Sequence, residues 1–191
     1  MSNEIAKASD AVAGGLVAGT RHTETAKATG RFRMECYDKD GLLKWSAESQ
    51  NLVVNVGLQY MAGTALTSTT QITTWYIGLY GAGASNTPAA GDTMSSHAGW
   101  TEVTPYSGSR PSATFAAATN ANPSVVTNSA SPASFSINAT QTVGGAFLVS
   151  NSTAGGSTGT LFSAADFQSP GDRSVVSGDT LNVTYTFSLA G

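Results

Sequence analysis

The sequence predicts an all-β protein, an antiparallel β-sandwich of jelly-roll type with one short helix and an extended N-terminal arm. Three observations predict it. About eight short apolar or alternating segments are separated by turns rich in Gly, Pro, Asn and Ser. The last of them, "DTLNVTYTFSL" (179–189), sets Leu181, Val183, Tyr185, Phe187 and Leu189 against Asn182, Thr184, Thr186 and Ser188. That is the period-two pattern of a strand with one buried and one polar face. No Gly-rich phosphate loop joins a strand to a helix and no βαβ unit repeats, so a doubly wound α/β fold is excluded.

Residues 1–30 read as the arm, and 31–191 as the sandwich domain. The arm holds no aromatic residue, and Gly14, Gly15, Gly19 and Gly30 interrupt it. A short amphipathic helix over about 4–13 would be marginal in isolation. From Arg31 the pattern turns to β. "RFRMECY" and "LLKWSAE" alternate and are joined by "DKDG", which predicts a hairpin with Gly41 closing the turn. Phe32, Met34 and Cys36 share one face of the first strand, which makes Cys36 a buried, inert thiol.

"NLVVNVGLQYMAGTAL" (51–66) starts as a strand and becomes the one helix, with Leu58, Met61, Ala62 and Ala65 at helical spacing. Strands follow at "TWYIGLY" (74–80), "SATFAAA" (112–118), "SVVTN" (124–128), "ASFSINA" (133–139), "TVGGAFLVS" (142–150), "GTLFSAADF" (159–167) and 179–189.

Charge is scarce and uneven. Only 11% of residues are charged, against roughly 25% in an average globular protein. Residues 1–50 carry fourteen of the twenty-one charged side chains. The other 141 residues hold only Asp92, Glu102, Arg110, Asp166, Asp172, Arg173 and Asp179. A soluble free-standing domain usually keeps more ions on its surface. A Ser-, Thr-, Ala-, Gly- and Asn-rich exterior suits contact with other protein, because charged groups are costly to desolvate at interface cores. The composition therefore favours a subunit of a large assembly. A net charge of -3 without clustered Lys or Arg gives no nucleic-acid site. No run of about 18 apolar residues predicts a membrane span.

"GDTMSSHAGWTEVTPYSGSRP" (91–111) crowds Asp92, Ser95, Ser96 and His97 together. A catalytic triad needs acid, imidazole and hydroxyl converging, usually from separate elements, and no G-x-S-x-G elbow exists here. The structural reading accounts for more residues. Asp92 caps a short helical turn over 93–97, His97 packs and hydrogen-bonds beside Trp100, and Gly99 ends the turn in the left-handed region. Arg110, the one cation between Lys44 and Arg173, pairs with Glu102 or Asp92, or with a neighbouring subunit. His22, His97 and Cys36 lack metal-ligand spacing. No catalytic, cofactor-binding or metal residue is therefore expected, and the protein is not expected to be an enzyme.

In this order, "NLVVNVGLQYM", "WYIGLYG", "AGDTMSSHAGWTEVTPYSGSRP", "FSINATQTVGGAFLVS", "GTLFSAADF" and "VVSGDTLNVTYTFSL" resemble a group of small structural proteins of tailed bacteriophages, the capsid cement or decoration type. The resemblance covers roughly 31–189. It implies a jelly-roll-like sandwich on the outer capsid surface of the virion, assembled in the bacterial host cytoplasm, with the major capsid protein as partner and no catalytic residues. Self-association is expected, as a homodimer since two-fold pairing is commonest, or as a trimer. Neither nucleic acid nor membrane is an expected partner. The alternative is a tail or fibre subunit that binds a receptor or carbohydrate, with Trp75, Tyr76, Tyr80, Trp100 and Tyr106 as stacking residues.

Overall fold

The computed structural model describes residues 25–82, 87–167 and 171–191, so most of the predicted arm lies outside the described residues. In chain order the elements are β1 (Lys27–Tyr37), β2 (Leu43–Gln50), β3 (Leu52–Val53), α1 (Asn55–Leu66), β4 (Trp75–Gly81), β5 (Glu102–Val103) and β6 (Ser112–Ala113). They continue with β7 (Ser124–Thr127), β8 (Ala133–Ser136), β9 (Gln141–Val149), β10 (Leu161–Asp166), β11 (Arg173–Val175) and β12 (Thr180–Ala190). All strand pairs are antiparallel and form two packed sheets, the predicted sandwich. β1 starts at Lys27, four residues before the expected edge of the domain.

The first sheet runs β2-β1-β12, with β7 and β8 end to end along the far side of β12. The β1–β12 ladder is unbroken from Lys27↔Ala190 to Tyr37↔Thr180. Opposite residues share a face. The inner face therefore collects Phe32 with Tyr185, Met34 with Val183, and Cys36 with Leu181, all essentially solvent-free. Each such side chain contributes about 1.5–3 kcal/mol by leaving water. The alternation holds to Tyr185, after which Phe187 is half-buried and Leu189 exposed.

Between β7 and β8, β12 has no strand beside it, and the fully buried Asn128 takes that place. Its backbone N–H donates to Tyr185 O, its side-chain oxygen accepts from Tyr185 N, and its amide nitrogen donates to Val183 O. One side chain completes the ladder where the neighbouring backbone turns away. The "DKDG" hairpin forms as expected, with Gly41 at φ 80° and the Asp38 carboxylate accepting from the N–H groups of Asp40 and Leu42.

The second sheet runs β3-β10-β9-β4, with β5 and β6 both on the outer side of β4 and β11 extending β10's side of β9. It is apolar on both faces, which is why "TVGGAFLVS" reads as a continuous run rather than an alternation. Ile77, Leu79, Val143, Ala146, Leu148 and Phe162 face the first sheet. Tyr80, Phe147, Val149, Leu161 and Ala164 face away from it and join Val54, Met94 and Trp100 in a second cluster.

Two reciprocal pairs shape that outward face. Phe147 lies opposite Gly78, and Tyr80 opposite Gly145. Each ring occupies the space where its partner's β-carbon would be, so any side chain at either glycine would collide with it.

The helix appears where predicted but turns a different face inward. Gly57 is buried, Tyr60 and Met61 pack on the core, and Leu58 is exposed together with Ala62 and Ala65. The reason is contact distance. A β-carbon at Gly57 would overlap the Phe162 carbonyl oxygen, so the glycine lets the helix backbone sit directly on β10. "SATFAAA" is strand only at Ser112–Ala113. Beyond it the chain crosses between sheets, with Ala116 N and Thr119 N donating to Thr127 O and Val125 O of β7.

Gly57→Ala should lower stability by roughly 1–3 kcal/mol through overpacking, although Gly→Ala in an open helix raises it by about 1 kcal/mol. Urea unfolding reads the sign, and Gly91→Ala, with no atom near its β-carbon position, should be close to neutral.

Candidate functional site

Within the segment 87–111, Met94, Trp100 and Arg110 cover the outward face of the second sheet, while Val103 and Tyr106 turn to the intersheet core. Trp100 is almost fully buried, with ring centroids 5.3 Å from Tyr80 and 4.9 Å from Phe147. His97 stacks on its other side at 3.9 Å and 19°, and Nδ1 lies 2.9 Å from Trp100 O. The order outward is glycine, aromatic ring, indole, imidazole. His97 packs beside Trp100 as expected.

The expected helical turn over 93–97 is absent. Thr93 and Ser96 instead form an isolated bridge around a tight turn, their backbones exchanging N–H···O bonds. Asp92 therefore caps no helix. Its buried carboxylate accepts from Ala89 N and from the Trp100 indole N–H, both at 2.9 Å. Gly99 is not among the glycines with positive φ. Ser95 bonds the Thr93 hydroxyl. Asp92, Ser95 and His97 thus make no bond to one another: Asp92 and His97 each bond Trp100, through its indole and its carbonyl, and Ser95 bonds Thr93, so that each bond fastens the loop to itself.

Arg110 carries the largest set of contacts in the loop. Its guanidinium is fully buried and meets Glu102 through two bonds, Nε at 2.8 Å and Nη2 at 2.7 Å. It also donates to Asn151 O and Gly156 O, and sits 5.2 Å from the centroid of the Phe147 ring. Glu102 in turn accepts from Gly155 N. Of the partners offered by the sequence, Glu102 is the one taken. The carbonyls of 151–156 carried no local signal, since a backbone oxygen looks alike in every sequence. A planar fork of donors satisfied on all sides ties two loops together across the sheet end.

A second buried ionic group lies at the end of the intersheet core. The Asp179 carboxylate accepts from Lys44 at 2.6 Å, from Val176 N at 2.9 Å and from the Cys36 thiol at 3.5 Å. Burial alone would raise the Asp179 carboxyl, but these donors outweigh it and hold it below its ordinary value. Burial, with the nearby Asp179 charge, pushes the Cys36 thiol up to about 12. The thiol is inert packing, as its strand position predicts.

Of the proposed stacking aromatics, Tyr80, Trp100 and Tyr106 are buried, and Trp75 packs against the core. None of these four offers an open platform to a sugar ring. Clefts are shallow. The one on the outer face of the first sheet, about 500 Å³, lies among Arg31, Arg33, Glu35, Glu48, Thr184 and Thr186. Among the described residues no three His, Cys, Asp or Glu side chains gather as a metal-ligand group, and no helix is long and apolar enough to cross a membrane. Comparison of the chain with protein-family models, curated proteins and solved structures returned no match.

Arg110→Met should cost about 3–5 kcal/mol because it leaves Glu102 buried without its cation, and Arg110→Met with Glu102→Gln should recover part of the loss; chemical denaturation of both variants measures it. For Asp179, the depressed folded carboxyl places its stabilisation above the unfolded carboxylate range. That contribution should fade as pH falls through the folded value. Acid titration of unfolding should show a smaller loss in Asp179→Asn, from a lower starting stability.

Proposed function

We propose that the protein is a capsid cement subunit of a tailed phage. Its jelly-roll-like body would bind the outside of the head and bridge neighbouring copies of the major capsid protein. One observation carries the reading. Of the seven charged side chains after residue 50, Asp92, Glu102, Arg110 and Asp179 are buried in internal bonds. Asp166 and Arg173 are half-buried, and Asp172 is exposed. Three quarters of the chain therefore presents an almost ion-free exterior.

Among the described residues, the other exposed ion pairs lie elsewhere. Arg31, Arg33 and Glu48 stand on the outer face of the first sheet, and Lys39 and Asp40 at the β1–β2 turn. Among the described residues the body is thus two-sided, with an ionic face on the first sheet and a remainder that is neutral apart from Asp172 and bears exposed Leu52, Leu58 and Leu66. We infer that the ionic face looks into solvent and the neutral side lies against the shell and against sister copies, where charge is costly to desolvate. The ordered motif resemblance over 31–189 supports the same reading. Many weak, repeated contacts then stiffen a lattice without any chemistry.

Immunolabelled electron microscopy of virions should place the protein on the head; label confined to the tail would replace this reading with the fibre one. Leu58→Lys with Leu66→Lys should leave the fold intact by circular dichroism and lower head occupancy at least tenfold. Deleting residues 1–24 tests the arm, with reduced occupancy of a folded body as the expected result; full occupancy would remove the arm from the mechanism.

A further inference from the structure

The two sheets do not end together where the chain enters the domain. Phe187 of β12 meets the edge of Phe162, the second residue of β10, and Phe162 meets Trp75, the first residue of β4. β10 and β4 begin at that point, whereas β12 runs on through Ser188, Leu189 and Ala190 beside β1.

Register decides which side chains face the gap. Phe187 and Leu189 continue the inward row of Leu181, Val183 and Tyr185. Their neighbours across the ladders are Ala28, opposite Leu189, and Val126, opposite Phe187. These four make an uncharged apolar strip on the inner side of the first sheet. Ala28, Val126 and Phe187 are half-buried and Leu189 is 40% exposed, although the same row is almost solvent-free at Tyr185.

The chain itself supplies an occupant. β1 begins at Lys27, opposite Ala190, so Thr25 and Ala26 leave the body at this same end. Upstream, residues 11–20 carry no charge and include Val12, Leu16 and Val17. Residues 21–26 separate that run from β1, and six residues span about 20 Å when extended. The strip reaches only from Ala28 to the level of Gly30 on β1, about 10 Å beyond Lys27. The connection is therefore long enough to turn back and lay the uncharged run beneath the strip. A separate molecule fits less well. Four partly covered side chains fall far short of the roughly 1,000 Å² that a stable interface between free copies buries. A tethered segment needs less, because a short link holds it at an effective concentration on the order of millimolar.

We propose that residues 11–20 dock under the overhang of the first sheet in the same chain, with Leu16 and Val17 covering Phe187 and Leu189. The docked run supplies the apolar layer that the second sheet stops short of. This docking closes the core of the free chain and does not depend on the capsid reading.

Thermal unfolding of the full chain tests it. Leu16→Asp with Val17→Asp should lower the midpoint by about 2–4 °C, and Ile5→Asp should leave it unchanged. Leu189→Ser should lower it by itself but add little in the Leu16→Asp, Val17→Asp background, because both changes remove one contact. No shift in the arm variant, or shifts that simply add, would overturn the proposal. Light scattering distinguishes the two sources of the segment, since native and arm-variant proteins should have the same mass. A lower mass in the variant would give the strip to the arm of a second copy and overturn docking within one chain.

Discussion

The second sheet has two apolar faces and only one partner sheet, and most of the architecture answers that mismatch. One face packs on the first sheet. The other must be covered by the chain itself, because strands apolar on both sides cannot leave either in water. The Phe147–Gly78 and Tyr80–Gly145 pairs begin the cover by laying two rings flat on the backbone. Trp100 tops both rings, and the segment 87–111 follows Trp100. Without the glycines the rings could not lie flat, and the indole would have no seat.

Covering a face with loop backbone creates a second demand, since every buried N–H and C=O must find a partner. The few charged groups after residue 50 meet much of it. Asp92 satisfies the indole and a backbone N–H, and Arg110 with Glu102 satisfies carbonyls and an amide of the facing loop. Asp179 does the same for Val176 while neutralising Lys44. Ions in this body are internal fasteners. The exterior is left to Ser, Thr, Ala, Gly and Asn, and that links the fold to the assembly reading. A surface with few ions loses little when it is covered by protein.

The crowding of Asp92, Ser95 and His97 takes its meaning from the same roof. Three residue types that catalysis also uses lie within six positions because a tight loop needs short hydrogen-bonding side chains and a flat ring to lay on the indole. Their bonds run to Trp100, Ala89 and Thr93 rather than to one another. Proximity in sequence put them in one loop, and the indole seated on the sheet took the bonds of Asp92 and His97 while Ser95 turned to Thr93.

Much of this protein was written locally. The hairpin at 38–41, the strands at 75–81, 141–149, 161–166 and 180–190, the helix after Asn55 and the buried thiol of Cys36 all follow from side-chain period and turn chemistry, which act over a few residues. Three matters were decided only in three dimensions. The inward face of α1 was set by how closely Gly57 approaches the Phe162 carbonyl, against the apolar pattern of the helix. The choice of Glu102 for Arg110, and of the 151–156 carbonyls beside it, depended on where distant loops meet. The use of Asn128 as a piece of strand arose because β7 and β8 leave a gap between them along β12. Periodicity reports which way a side chain points, but not what lies across from it.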